Sequence, residues 1–278
     1  SRVYELILEQ VTDPTPGQPD KKALHMPFEI GLIGPNGGEM ETTVEGVAGS
    51  SHLIDLTKAR QTVRFENVGA APVPSLNRAF TAPVRLTSDL SDSDSAFLMA
   101  HDTDPFARWE AGQQFGTKVL LAMIGEMQET GSCTADPAYV EAMGATLADA
   151  SLDNAFKALA LAIPGESYLA DQMETVDVDA IHAARDVMRG AIARQFRDAW
   201  LAAYHDNQSS GPYSPAAEQA GQRALKNAAL SYLSATGESA DVDLVAGQYR
   251  GADNMTDRLT ALILLGTLET PERQAALD

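Results

Sequence analysis

Apolar and polar positions keep two different periods along this chain, and the change from one to the other divides it. Near the start, Tyr4, Leu6 and Leu8 fall on one side while Glu5, Ile7 and Glu9 fall on the other. That alternation is the mark of a half-buried strand. Thr12 to Lys22, rich in Pro, Gly, Asp and Lys, reads as a loop. Phe28, Ile30 and Leu32 alternate again, and Pro35-Asn36-Gly37-Gly38 is a turn cluster of the hairpin kind. Glu39–Val47, His52–Leu56 and Gln61–Val68 give three more short strands, with Val63 and Phe65 as the inward pair of the last. Short strands at this spacing predict a β-sandwich of about seven strands.

The period changes between Ala71 and Gln113. Pro72, Pro74 and Pro83 cannot donate to a strand ladder, which suits an edge strand and its loops. Ser88-Asp89 and Ser91-Asp92-Ser93-Asp94 then offer acceptors and negative charge where a helix should begin. Ala96–Ala100 follows as a short apolar helix, and Asp104-Pro105 starts another, with Asp104 as N-cap and Pro105 at the first helical position. Beyond this point helices are predicted over Phe106–Gln128, Pro137–Ala150, Leu152–Ile163, Val178–His205, Ala216–Leu233 and Met255–Leu268. In Val178–His205, Ile181, Ala184, Met188, Ile192, Phe196, Ala199, Trp200 and Ala203 form one stripe. Ser214-Pro215 reads as the cap of the helix from Ala216, and Asp253 or Asn254 as the start of the one from Met255. Gly165, Gly211, Gly237 and Gly251 mark breaks between helices. The fold class expected is therefore all-β then all-α: a β-sandwich over residues 1–90 and a helical domain of antiparallel neighbours over 91–278. No fixed sequence period is present to demonstrate a repeat.

Composition narrows the function classes. Of 278 residues 44% are hydrophobic and 21% charged, which describes a folded chain and not a disordered one. No apolar run approaches the roughly 20 residues that span a bilayer. The formal net charge of -19 argues against nucleic acid, whose phosphates need Lys and Arg, and against anionic lipid surfaces. Solubility explains such a charge, and attraction for cationic ligands such as free amino groups is the sharper alternative. The single cysteine, Cys133, leaves no internal disulfide and fits a reducing, cytoplasmic setting.

Several stretches carry a family resemblance. PSLNRAFTAPVRL followed by AFLMAHDTDPFARWEAGQ resembles the region of bacterial aminopeptidase N where its small sandwich meets its C-terminal helical domain. Asn254-Met255-Thr256-Asp257 matches further on, and SRVYELILEQ and PFEIGLIG resemble the sandwich's opening strands. The resemblance implies an immunoglobulin-like sandwich followed by a solenoid of helix pairs. It also implies a parent zinc peptidase whose catalytic domain precedes Ser1 in the same polypeptide and acts on peptide substrates. The start at Ser1, and a helix signal at Thr270-Pro271-Glu272 with few residues after it, lead us to expect a helical domain truncated at its C-terminus.

The chemistry of catalysis is expected elsewhere. His25, His52, His101, His182 and His205 contain no i, i+4 pair and no H-E-x-x-H, the arrangement that brings two imidazoles to one zinc. Gly38-Glu39-Met40-Glu41 is only a loose echo of the family's G-x-M-E-N anchor and is set aside. His101, Asp102 and Asp104 fit no common ligand spacing. The Asp89, Asp92, Asp94 run lacks the glycine and closing glutamate of a calcium loop. Ser50, Ser51 and His52 are sequence neighbours without a nucleophile elbow. Cys133 has no nearby cation to activate it. No catalytic, cofactor or metal residue is therefore assigned to this chain, and zinc is expected only in the parent enzyme. Arg78, Phe80, Arg108, Trp109 and Glu110 are expected to pair locally and fix the junction between domains. Asn254 and Asp257 are read as a helix N-cap and first-turn carboxylate, or as residues facing a substrate cavity. The expected function is a non-catalytic segment of a zinc aminopeptidase that supports the catalytic domain and shapes a substrate-access chamber. The rival is a stand-alone peptide- or protein-binding scaffold. An autonomous hydrolase has no motif in its favour.

Overall fold

The computed structural model describes residues 2–209 and 211–278, which fall into two compact units, 1–112 and 113–278. In the first, seven strands form two antiparallel sheets. One has the order β1 (Val3–Glu9), β6 (Arg60–Glu66), β3 (Thr42–Val44), β4 (Val47–Gly49); the other, β5 (Ser51–Leu56), β2 (Met26–Ile33), β7 (Val73–Leu76). Register follows the alternation: Tyr4 lies opposite Phe65 and Leu6 opposite Val63, while Phe28 lies opposite Ile54. Phe28, Ile30, Leu32, Ile54, Val63 and Phe65 make the sandwich core. β7 is an edge strand, and Pro74 sits within it, paired with Leu32. An edge is where a missing N–H costs least. The single strand expected over Glu39–Val47 is instead a hairpin, β3 and β4, turned at Glu45 and Gly46. Both turn residues are left-handed, as a two-residue type I′ loop requires.

β2 is buried on both faces. Ile33 leaves the sandwich core and packs with Leu98 and Ala111. Leu98 belongs to α1 (Asp92–His101), whose N-cap Ser91 and third residue Asp94 form a capping box. α2 (Pro105–Thr130) starts as the sequence predicts: Ala107 N donates to Asp104 Oδ1 at 2.8 Å. The division between the two units falls inside α2.

The second unit is helical: α3 (Pro137–Ala148), α4 (Asn154–Ala160), α5 (Glu166–Ala170), α6 (Val178–Gln195), α7 (Arg197–Asp206), α8 (Ala217–Ser234), α9 (Ser239–Gly251), α10 (Met255–Thr267) and α11 (Pro271–Leu277). The helix expected over Val178–His205 is broken at Phe196, whose φ of -116° and ψ of 26° are not helical. Its ring lies against Gly144 of α3, where any Cβ would collide with it. The break turns the buried face, so Ile192 and Trp200 are buried while Ala199 is exposed. The helix expected over Leu152–Ile163 covers only α4, capped by Asp153. The sequence pattern does not predict α5 or α9. Ser214-Pro215 does not cap α8 directly: the N-cap is Ala216, and Ser214 Oγ accepts only from Ala216 N. Trp200 stacks on Tyr232 at 4.3 Å, and Tyr232 OH donates to Leu161 O at 2.6 Å. Among the described residues no helix is long and apolar enough to cross a membrane.

Candidate functional site

Two polar clusters stand out, one in each unit. The first is built on the loop after β7. Asn77, Ala79 and Phe80 all have positive φ, at 53°, 52° and 53°. A non-glycine residue held there costs about 1–3 kcal/mol, and persists only where the surroundings fix it. Here they do. The buried Asn77 side chain brackets Ala82, donating to its O and accepting from its N, both at 2.9 Å. Ala79 N donates to Asp104 Oδ2 at 3.0 Å, so the carboxylate that caps α2 also pins the loop.

Between them Arg78 runs inward and is 5% exposed. Its Nη2 donates to Glu39 Oε1 at 2.5 Å and to Thr103 Oγ1 at 2.7 Å, and Thr103 also bonds Glu39. Burial pushes the Glu39 carboxyl up, but hydrogen bonds from Thr103, Ser50 and Arg78, with the Arg78 charge, outweigh it and hold the group at about 2. The adjacent Asp102 shifts the other way: burial dominates and raises it. Gly31 in β2 makes the path of Arg78 available, since a Cβ there would overlap Arg78 Nη1. Phe80, 51% exposed, lies over Phe106 at 4.8 Å, and Phe106 meets Trp109 at 6.0 Å. Arg108 is buried and its Nε donates to Met99 O at 2.8 Å. Glu110 is half-buried on α2. All five residues singled out at the junction thus lie in one compact unit. The sequence reading missed Glu39 and Thr103, the partners that make a buried Arg78 tolerable.

The second cluster joins α8, α9 and α10. Asn254 caps α10 by accepting from Asp257 N at 3.0 Å. Asp257 is buried, not turned to open solvent. Its Oδ2 accepts from Lys226 Nζ at 2.6 Å and from Asn254 Nδ2 at 2.9 Å, and its Oδ1 from Asn227 Nδ2 at 2.9 Å. Gln248 Nε2 bridges Asn227 Oδ1 and Asp257 O. Burial works to raise the Asp257 carboxyl, yet the bonds from Lys226, Asn254 and Asn227 win and lower it. Lys226 was legible in principle: it sits on the face of α8 that also carries Leu230 and Leu233, where a charge needs a partner.

The histidines are dispersed. His25 bonds Asp55, the buried His52 bonds Thr42 Oγ1, His101 packs on Phe97, His182 bonds Glu166, and His205 packs on Tyr204. Burial raises the half-buried Cys133 thiol, helped by Glu126, so it is not activated. Among the described residues no group of three His, Cys, Asp or Glu could hold a metal ion. Most polar groups of the two clusters bond one another, although Arg78 Nη1 in the first and Gln248 Oε1 in the second are buried without a hydrogen-bond partner.

Comparison with known proteins fits this picture of two structural units. Residues 1–89 match the family DUF3458, described as an Ig-like fold, and residues 92–278 match DUF3458_C, described as ARM repeats. The chain belongs to the DUF3458_C family, whose model takes in more than half of it. It is 38% identical over 250 residues to aminopeptidase N of Caulobacter vibrioides, covering 90% of this chain and 28% of that protein. It is 35% identical over 278 residues to aminopeptidase N of Escherichia coli, covering 99% of this chain and 31% of that one. The crystal structure of Legionella pneumophila aminopeptidase A in complex with aspartic acid superposes with a TM-score of 0.79 at 25% identity, over 99% of this chain and 31% of its own. The chain therefore spans less than a third of the length of each of these relatives.

Proposed function

We propose that this chain is the sandwich and helical portion of a zinc aminopeptidase, inactive by itself, which braces the catalytic portion and walls the chamber through which peptides reach the metal. One observation carries the reading: similarity to aminopeptidase N runs through both units, yet takes in only 28% and 31% of those relatives. The residues here do not fit zinc. The five histidines engage separate partners, none stands in H-E-x-x-H, and among the described residues no group of three His, Cys, Asp or Glu could hold a metal. What the chain contributes is rigidity. The Asn77–Phe80 loop, Arg78 with Glu39 and Thr103, and Asp104 fix how the last strand hands over to the helices. Arg78, Phe80, Arg108, Trp109 and Glu110 are, in this reading, structural residues that fix the loop after β7 and the first turns of α2. Asn254 and Asp257 set the register of α10. The partners are the catalytic portion of the same polypeptide and, in the intact enzyme, peptides; the single cysteine favours the cytoplasm.

The test is the complete polypeptide encoded with this chain. We expect H-E-x-x-H with a distant Glu in it, and zinc-dependent release of amino-terminal residues from peptides. A gene product lacking that motif, or inert toward peptides when loaded with zinc, would overturn the reading.

A further inference from the structure

Residues 165–176 form a flap on the helical unit, anchored at both ends. Before it, Gln113 Nε2 donates to Ala162 O at 2.8 Å, Tyr232 OH to Leu161 O at 2.6 Å and Arg185 Nε to Pro164 O at 2.8 Å. After it, Asp177 caps α6 and accepts from Gln128 Nε2 at 3.2 Å. Between these anchors only Leu169 is buried; Ala170 and Met173 are half-buried and the other residues are exposed. The short helix α5 within the flap has Gly165 as N-cap, so no side chain caps it. Its backbone bonds stay inside the flap, among them Leu169 N to Gly165 O and Gln172 N to Leu169 O, both at 3.0 Å. Among the described residues, the side-chain bonds that tie the flap to the rest of the unit all end on one group, the Glu166 carboxylate.

That carboxylate faces His182 of α6. His182 Nδ1 lies 2.9 Å from Glu166 Oε1, and its Nε2 lies 3.2 Å from Asp186 Oδ2, one turn further along α6. An ionised carboxylate only accepts, and a neutral imidazole donates from one nitrogen only. A ring with a carboxylate at each nitrogen is therefore satisfied only when it carries both protons. We propose that His182 is a proton-operated latch: as imidazolium it ties the flap to α6 through Glu166, and on losing a proton it lets the flap open between its anchors and uncover the seat of Leu169. The charged groups facing the ring are Glu166 from α5 and Asp186 and Arg185 from α6 itself. The hydrogen bond with Glu166 and the charge of Asp186 raise the His182 pKa against burial and the Arg185 charge. The same bond holds the Glu166 carboxyl below its ordinary range, so it stays an acceptor. The latch is thus complete below pH 6.5 and is lost as pH rises through the raised value. Arg185 Nη1, 3.1 Å from Glu166 Oε1, keeps its charge throughout and leaves the flap a weaker hold. The latch does not depend on the aminopeptidase reading, so either can fail alone.

Hydrogen exchange of the Leu169 and Gln172 amides in the 278-residue chain tests it, at about pH 6 and about pH 8, with the intrinsic pH dependence of exchange divided out. The ring is 65% exposed, so protection should fall only about two- to fivefold between the two conditions, while the amides of α8 keep theirs. His182→Ala should remove that difference and leave the flap as open in acid as the wild type is in base. By NMR the ring should titrate above 6.5, and Asp186→Asn should move its midpoint and that of the protection down together. Equal wild-type protection in the two conditions overturns the proposal, and so does a wild-type His182 midpoint at or below 6.5; neither needs a variant to fold. Protection that still falls with pH in His182→Ala would assign the change to another group and overturn it as well.

Discussion

A guanidinium buried as deeply as that of Arg78 is stable only because Glu39 and Thr103 meet it. Glu39 is itself exposed to solvent, so removing it strands the buried guanidinium only in part, at a cost of about 1–3 kcal/mol. Glu39→Ala should therefore cost that much in denaturant unfolding of the sandwich unit, and a loss under about 1 kcal/mol would show the pair to be solvated and idle. The pair should also be visible in acid. Glu39 titrates at about 2 when folded against an ordinary 4.5, so its contribution is complete above pH 4.5 and is lost as pH falls toward 2. Glu39→Gln should flatten the stability profile across that window. Asp102, raised by burial, acts with the opposite sign and stabilises the folded state as pH falls. In the helical unit, Lys226 and Asp257 should show strong coupling in a double-mutant cycle. Asp257→Ala alone should cost about 3–5 kcal/mol, and less when Lys226 is already methionine. Additive effects of the two changes would contradict the network.

At the scale of elements, turn and cap chemistry were the most legible features. Ser91, Asp104 and Asn254 each stand where the sequence predicts a helix to begin, whereas Asp153, which caps α4, lies inside the helix expected from Leu152. Asn254→Ala should cost about 1 kcal/mol, measured as loss of thermal or denaturant stability; no change would mean that solvent replaces the cap. The strand alternation puts Tyr4 and Leu6 on one face of β1 and turns Val63 and Phe65 of β6 inward; the antiparallel pairing that sets them opposite one another is not legible in it. What escaped the sequence depended on tertiary contacts. Glu45-Gly46 splits a strand, but a Glu in the left-handed region gives no composition signal. α9 carries an interior Gly247 and β-branched Val242 and Val245, so its propensity is low, and burial of Val242, Val245, Ala246 and Gln248 makes the helix. Phe196 reads as one more apolar position on a continuous stripe, and the sequence carries no sign that the helix breaks there or that its ring packs on Gly144. Gly144→Ala should force that ring out and destabilise the helical unit by about 1–3 kcal/mol in denaturant unfolding. An unchanged midpoint would show that the α3–α6 contact is slack. Of the two polar clusters, Arg78, Asn254 and Asp257 were named from sequence, whereas Glu39, Thr103, Asn227 and Gln248 were not. Their partners lie 64 residues apart for Thr103 and Glu39 and 21 for Gln248 and Asn227, distances over which a single sequence carries no pairing signal.

At the scale of the molecule, the chain is a sandwich and a set of ARM-type helices, with no donor set for a metal among the described residues and two polar clusters spent on holding backbone. In the proposed function it supports an aminopeptidase, and peptide hydrolysis falls to residues outside it. The measurement that bears on this most directly is turnover of a chromogenic alanine or leucine amide by the 278-residue chain, with zinc added and again with a chelator. The account predicts no turnover above the uncatalysed rate in either condition, and no zinc retained by elemental analysis after dialysis. Turnover that appears with zinc and vanishes with the chelator would contradict it, and would place a metal site among five histidines that the structure ties to separate partners.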